Sequence, residues 1–67
     1  MITTNSYINY LKERILECDG IIEERIRQLE LEEDLFVKEF ILESINDWKS
    51  YKENYLINLE SIKLRIQ

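Results

Sequence analysis

The side chains that could perform covalent chemistry are few in this sequence. It contains one cysteine, Cys18, and no histidine. A thiol becomes a nucleophile when a neighbouring base or cation favours its thiolate, whereas burial raises its pKa. Cys18 falls on an apolar stripe and has no histidine to activate it. We therefore interpret Cys18 as a small core residue and not as a nucleophile.

The lack of histidine also removes several kinds of functional site. Zinc sites of the Cys/His kind, the Glu-x-x-His motif of di-iron bundles and histidine-assisted nucleophilic catalysis all require it. The single glycine, Gly20, gives no glycine-rich phosphate-binding loop. Carboxylates are plentiful, but we place them on exposed helix faces without the concave pocket that acid–base catalysis needs. We predict no catalytic residue, no metal and no cofactor, so the protein is not expected to be an enzyme.

The carboxylates themselves form two ladders at helical spacing. One consists of Glu39, Glu43 and Asp47, and a sparser one consists of Glu13, Glu17 and Glu24. Like charges four residues apart destabilise a helix slightly. Such an acidic face is either an ordinary solvated surface, or it imitates nucleic-acid phosphates or docks on a basic surface of a partner.

The charge balance limits the possible partners. The 67 residues include 14 acids and nine bases, which gives a net charge of −5. An acidic chain does not favour binding to nucleic acid or to an anionic membrane surface. A basic patch could use only Lys49, Lys52, Lys63 and Arg65, and acids lie among them. We therefore expect neither direct nucleic-acid binding nor membrane association.

The composition also suggests an origin and a compartment. Alanine and proline are absent, whereas isoleucine, asparagine, lysine and glutamate are abundant. We interpret this bias as that of a low-GC bacterium, of its phages or plasmids, or of an archaeal virus. Residues 1–10 contain no basic region followed by an apolar run, so we expect no signal peptide. No apolar run approaches the roughly 18 residues that a membrane span needs. Together with a single cysteine, this predicts a cytoplasmic protein.

A heptad seam predicts a long second helix over about residues 35–66. Lys52 occupies one slot of this seam. Apolar residues at steps of three and four form the stripe of a helix that packs on another helix. Ser50 to Glu53 matches a capping box, but the heptad phase continues through it, so we predict no break there. The other seam positions are Ile41, Ile45, Trp48, Tyr55, Leu59, Ile62 and Ile66.

A second stripe predicts a first helix from about residue 5 to 31. Thr4, Asn5 and Ser6 are all suitable N-caps, and we place the start near Asn5 or Ser6. Asp19-Gly20 is a common turn dipeptide, yet the stripe crosses it in phase, so we favour a glycine within the helix. Arg25 fills one slot of this stripe, and its other positions are Ile8, Leu11, Ile15, Cys18, Ile22 and Leu29.

The two stripes do not join in one register, which predicts a turn at about residues 31–34. Glu32, Glu33 and Asp34 would precede the second helix, where its dipole favours negative charge, and Asp34 could pair with Lys38. The fold class is therefore all-α: one domain over residues 1–67, built as an antiparallel hairpin of two long helices.

The apolar surface is wider than one hairpin can bury. We expect a homodimer that forms a four-helix bundle; the alternative is a monomeric hairpin with an apolar binding face. The charged seam residues Arg25 and Lys52 either fix the register or extend to solvent. The residues predicted to form the dimer or partner interface are Phe36, Phe40, Ile41, Ile45, Trp48, Tyr51, Tyr55, Leu59 and Ile62.

Three functions remain compatible with these patterns. The first is a non-catalytic protein–protein interaction module, a small regulator or inhibitor that binds itself and another protein. The second is an acidic inhibitor that imitates nucleic acid and occupies a host defence or DNA/RNA-processing enzyme. The third, and the least favoured, is a small DNA-binding regulator. No motif singles out a family.

Overall fold

The computed structural model of the protein describes residues 3–65, which form two helices and no strand. Helix α1 covers Thr4–Leu31 and helix α2 covers Leu35–Arg65. The two helices pack against each other as an all-α hairpin about 49 Å long. The predicted fold class is thus confirmed at the level of the hairpin. The predicted seam position Ile66 lies outside the described residues.

Helix α1 begins slightly earlier than the sequence pattern suggested. Its N-cap is Thr3, whose Oγ1 accepts a hydrogen bond from the backbone N–H of Ser6 at 3.1 Å. The Thr3 carbonyl accepts the first helical bond from the Tyr7 N–H at 3.0 Å. Thr3 therefore takes the capping position, and the three predicted candidates, Thr4, Asn5 and Ser6, lie within the helix.

The turn is held by carboxylates and not by glycine or proline. An oxygen of Glu32, Oε1, accepts hydrogen bonds from the backbone N–H groups of Glu33 and Asp34 at 3.2 and 3.1 Å. The Asp34 Oδ1 then caps α2 by accepting from the N–H groups of Phe36 and Val37 at 2.8 and 3.3 Å. Asp34 thus satisfies the free amides at the start of α2, in place of the ion pair with Lys38 that the spacing suggested.

Both helices continue through the positions where a break was conceivable. Gly20 lies inside α1 with an ordinary helical backbone, and Ser50 lies inside α2. The apolar stripe therefore passes Asp19-Gly20 without interruption. A Cβ atom at Gly20 would meet no atom within 4 Å.

The core lies between the two predicted seams. Its buried side chains come from both helices: Leu11, Cys18, Ile22, Ile45 and Leu59. Most of the remaining seam residues, such as Ile15 and Trp48, are half-buried along the edges of the same contact. Neither helix is long and apolar enough to cross a membrane.

Candidate protein-interaction surfaces

The described part of the chain exposes more large apolar side chains than it buries. Five hydrophobic residues are buried, whereas thirteen large ones are exposed. The most exposed are Leu31, Phe36, Leu35, Leu64 and Leu16, each at 70% or more. Isolated exposed apolar residues are common on soluble proteins, but contiguous ones mark binding surfaces. Contiguity therefore decides which of these exposed residues form a binding surface.

The hairpin itself uses several of the residues predicted to form an interface. Ile45 and Leu59 are buried against α1, because the α2 seam faces the α1 stripe within one chain. Ile41, Trp48, Tyr55 and Ile62 are half-buried at the edges of that contact. The other three predicted interface residues remain exposed: Phe36 at 78%, Phe40 at 69% and Tyr51 at 48%.

Phe36, Phe40, Glu43 and Asp47 form one stripe on the outer side of α2, here called the acidic aromatic stripe. Their spacing of four, three and four residues places them on one helix face, and Glu39 lies beside them. All five side chains are exposed. Two aromatic anchors therefore lie next to three carboxylates. Aromatic residues of this kind contribute strongly to protein–protein binding when a partner covers them.

The two acidic ladders differ in how their charge is balanced. On α1, Glu17 pairs with Arg14 at 2.7 Å and Glu24 pairs with Arg27 at 3.5 Å. Among the described residues, no ion pair involves Glu39, Glu43 or Asp47, nor Glu13. The unbalanced negative charge of the ladders is therefore concentrated on α2, beside Phe36 and Phe40.

One side of the hairpin is rich in tyrosine and tryptophan. The rings of Tyr7 and Tyr10 stack with centroids 6.1 Å apart, and the Arg14 guanidinium lies 5.4 Å from the Tyr10 centroid. Trp48 and Tyr51 meet edge to face at 5.3 Å. Tyr7, Tyr10 and Tyr51 nevertheless keep 38%, 46% and 48% of their surface exposed. Burial raises the pKa of Tyr55, and the neighbouring Tyr10 raises it further.

A shallow groove of about 400 Å³ lies beside Trp48. Its other walls come from α1 and include Gly20 and Ile21, with Glu17, Glu24 and Arg25 at the rim. This groove is lined by several charged side chains. It offers a small apolar floor at Ile21 and Trp48, where a partner side chain could pack.

A second groove, of about 370 Å³, is almost entirely aliphatic. It lies between the two helices and is lined by Lys12, Ile15, Leu16, Leu56 and Leu59. Leu16 is 70% exposed, whereas Leu59 at its base is buried. We call this groove and its rim the leucine flank. The sequence pattern did not single it out.

The two charged seam residues connect the helices. The Lys52 Nζ lies 2.6 Å from the Asp19 Oδ1, and this hydrogen bond raises the pKa of Lys52. The Arg25 Nε donates to the Ser44 Oγ at 3.2 Å, and its guanidinium also donates to Gln28. Both residues therefore contact the opposite helix, which favours a role in fixing the register over a purely solvated position. Their partners, Asp19 and Ser44, lie beside the seams and become identifiable only when the helices are aligned.

Cys18 is enclosed in the core with 1% of its surface exposed. Burial raises the pKa of its thiol, and the neighbouring carboxylates of Asp19 and Glu17 add to this effect. The neutral thiol is therefore favoured, which is the opposite of what a nucleophile requires. Within residues 3–65, no group of three Cys, Asp or Glu side chains is arranged to hold a metal ion.

The arrangement as a whole is a rod with two kinds of exposed apolar surface and a small internal core. Lys52 is one of the four bases that could form a nucleic-acid patch, and its ammonium group forms an ion pair with Asp19. No protein-family model, curated protein sequence or solved structure matches the chain.

Proposed function

We propose that the chain is a non-catalytic protein–protein interaction module, a small regulator or inhibitor that binds another protein. The observation that carries this proposal is the imbalance between five buried and thirteen exposed large apolar side chains. A surface of this kind lowers its free energy when another protein covers it. We place the protein in the cytoplasm of a low-GC bacterium, encoded by the host, a phage or a mobile element, as the composition suggests.

The acidic aromatic stripe is the surface that we assign to the partner. Phe36 and Phe40 are exposed at 78% and 69%, one helical turn apart, so both can enter one apolar pocket. The carboxylates of Glu39, Glu43 and Asp47 adjoin them without an ion pair. The complementary partner surface is an apolar pocket with a basic rim. Aromatic anchors supply affinity, and the rim charges supply orientation and a faster association.

The test compares two double variants in capture from a low-GC host lysate followed by mass spectrometry. Phe36→Ser with Phe40→Ser removes the anchors, and we expect the captured protein to be lost. Ile57→Ser with Leu64→Ser is the control, since these residues are also exposed, at 54% and 72%, on the same helix. Equal capture by both variants would exclude the stripe as the binding surface.

An acidic inhibitor that imitates nucleic acid is the second candidate function. It is favoured by the unpaired carboxylates of Glu39, Glu43 and Asp47, whose four-residue steps set charges about 6 Å apart along the helix. A basic channel that binds the phosphates of a nucleic acid could accept a row of carboxylates of this kind.

Charge reversal distinguishes the two candidates. Replacing Glu39, Glu43 and Asp47 by lysine should abolish binding by a nucleic-acid mimic, but only weaken an interaction anchored by phenylalanine. The control replaces Glu23, Glu30 and Glu33, which are also exposed, and changes the net charge by the same amount. If both triple variants bind the captured enzyme as the unmodified protein does, the mimicry hypothesis is wrong.

Dimerisation into a four-helix bundle belongs to the same proposal. A hairpin with five buried side chains has a small core, and helical chains below about 70 residues usually need very good packing or association. A second hairpin packed side by side would enlarge that core.

A further inference from the structure

We infer that the leucine flank is the surface on which a second copy of this chain docks, leaving the acidic aromatic stripe free. The inference rests on the proposed dimerisation and identifies the surface responsible. The flank centres on the aliphatic groove between Leu16 and Leu56. The occupant we assign to it is the same flank of another hairpin, related by a two-fold axis.

The surface area of the chain supports an association of this size. The chain exposes 5487 Å², whereas a compact monomer of 8.2 kDa is expected to expose about 4500 Å². The excess is therefore about 1000 Å², close to the roughly 800 Å² per partner that a stable interface buries. It arises because the hairpin is a rod, 49 Å by 17 Å by 15 Å. Side-by-side pairing of two rods is the geometry that removes it.

The charge distribution favours the leucine flank as the surface for self-association. In an isologous pair each charge meets the same surface of the other copy, so a balanced surface avoids repulsion. Positions three, four or seven residues from Leu16 or Leu56 share their helix face, and the bases among them are Lys12, Lys49, Lys52 and Lys63. The acids at the same spacings are Glu13, Asp19, Glu23, Glu53 and Glu60. Four positive and five negative charges nearly cancel, although the whole chain carries −5.

The acidic aromatic stripe has the opposite property. Positions of α2 that lie three, four or seven residues from Phe36 or Phe40 share their helix face, and the ionisable residues among them are Glu39, Glu43 and Asp47. The nearby base Lys38 is two residues from each phenylalanine and therefore lies on the opposite face of the helix. A second copy docked there would bring carboxylates toward carboxylates. On the leucine flank the charges nearly cancel, so this repulsion does not arise there. We therefore assign the two apolar surfaces to different partners.

The shape of the flank also fits an interdigitating pair. Leu16 projects with 70% of its surface exposed beside a groove whose base is Leu59. Exposed leucines next to a groove of this kind can pack as knobs into the holes of a facing helix pair. Two hairpins joined in this way form a four-helix bundle in which Leu16 and Leu56 become core residues.

The experiment measures the mass of the purified protein by light scattering and by sedimentation over a concentration series. The unmodified chain should be a dimer, and Leu16→Glu should raise the dimer dissociation constant at least about tenfold, because a carboxylate would be buried in the apolar interface. Two controls have almost the same exposure: Leu64→Glu at 72% and Phe40→Glu at 69%. Both should remain dimeric.

Three results would overturn the inference. The first is a monomer at a protein concentration of about 100 µM, well above the dissociation constant of a stable homodimer. The others are a Leu16→Glu variant that dimerises normally and monomerisation by Phe40→Glu. Since Leu16→Glu could also disturb the fold, a dilution series of the unmodified protein followed by NMR serves as a second measurement. Amide shifts should change at residues 12–16 and 56–59; changes confined to residues 36–47 would contradict the assignment. None of these measurements involves the partner protein, so the partner proposal can fail or hold independently.

Discussion

The leucine flank and the acidic aromatic stripe are both apolar, yet they differ in everything that surrounds their apolar side chains. The flank is a groove between two helices, with aliphatic walls and nearly balanced charge. The stripe is the outer side of one helix, where two phenylalanines lie beside three carboxylates that form no ion pair within residues 3–65. Apolar area alone would make them equivalent. Shape and charge assign one to self-association and the other to a basic partner.

The α2 seam packs inside the hairpin, so a charge placed in it should cause the largest loss of stability. Leu59 is 7% exposed, so Leu59→Asp would bury a carboxylate and should lower the free energy of unfolding by more than about 3 kcal/mol. Ile57→Asp, at a site 54% exposed, should change it by less than about 1 kcal/mol. Urea unfolding followed by circular dichroism provides both values, and equal midpoints would mean that the seam is not the core.

Added salt should weaken the partner complex more than the dimer, which is a smaller but measurable effect. Raising the salt concentration from about 0.05 to 0.5 M screens exposed charges, and should weaken the partner complex by roughly tenfold while leaving the dimer within about threefold. Calorimetric titration and sedimentation would measure the two constants. A dimer that dissociates as readily as the partner complex would remove the distinction between an apolar and a charged surface.

Gly20 provides a finer probe of the groove beside Trp48. Its added Cβ would meet no atom within 4 Å, so Gly20→Ala should stabilise α1 by about 0.5–1 kcal/mol and raise the melting temperature by a few degrees. The dimer and the partner complex should be unchanged. Weaker association of either kind would show that this groove, and not only the two surfaces compared above, is a contact.

The smallest effect concerns the pH dependence of stability. The pKa of Cys18 is raised in the folded state, so the folded chain retains this proton at a pH where the unfolded chain has lost it. The resulting contribution to stability is complete below the ordinary thiol pKa and is lost as pH rises through the folded value. Stability should therefore fall above about pH 9, and Cys18→Ala should flatten this slope. An identical slope in the variant, measured by urea unfolding, would contradict this cause.

The seam periodicity of both helices was sufficient to predict the hairpin, because an apolar stripe every three or four residues needs a facing helix. The same periodicity could not predict which apolar residues would remain exposed. Leu56 and Ile57 both lie off the seam, yet Leu56 is half-buried and lines the leucine flank whereas Ile57 is 54% exposed. That difference depends on the crossing and register of the two helices.

Register explains the other features that the sequence left open. The contacts of Lys52 with Asp19 and of Arg25 with Ser44 join residues of different helices, which no pattern within one helix aligns. The turn has no glycine or proline, and the Glu32 and Asp34 side chains hold it by accepting hydrogen bonds from free backbone amides. Their capping role is visible in the sequence only as acidic residues between two stripes. The leucine flank could not be predicted from either helix alone, because its walls come from both helices and depend on their register.

The position of Phe36 and Phe40 near one end of a 49 Å rod has a consequence for valency. Phe40 and Phe36 lie about 24 and 30 Å along α2 from Leu56 and on the opposite side of the helix, so the proposed dimer contact does not cover them. A two-fold pair would therefore present two identical binding faces. Toward a target that is itself dimeric or repeated along a filament, a weak single contact would then act as a strong double one, with avidity gains of about 10²–10⁴ where the geometry permits both contacts.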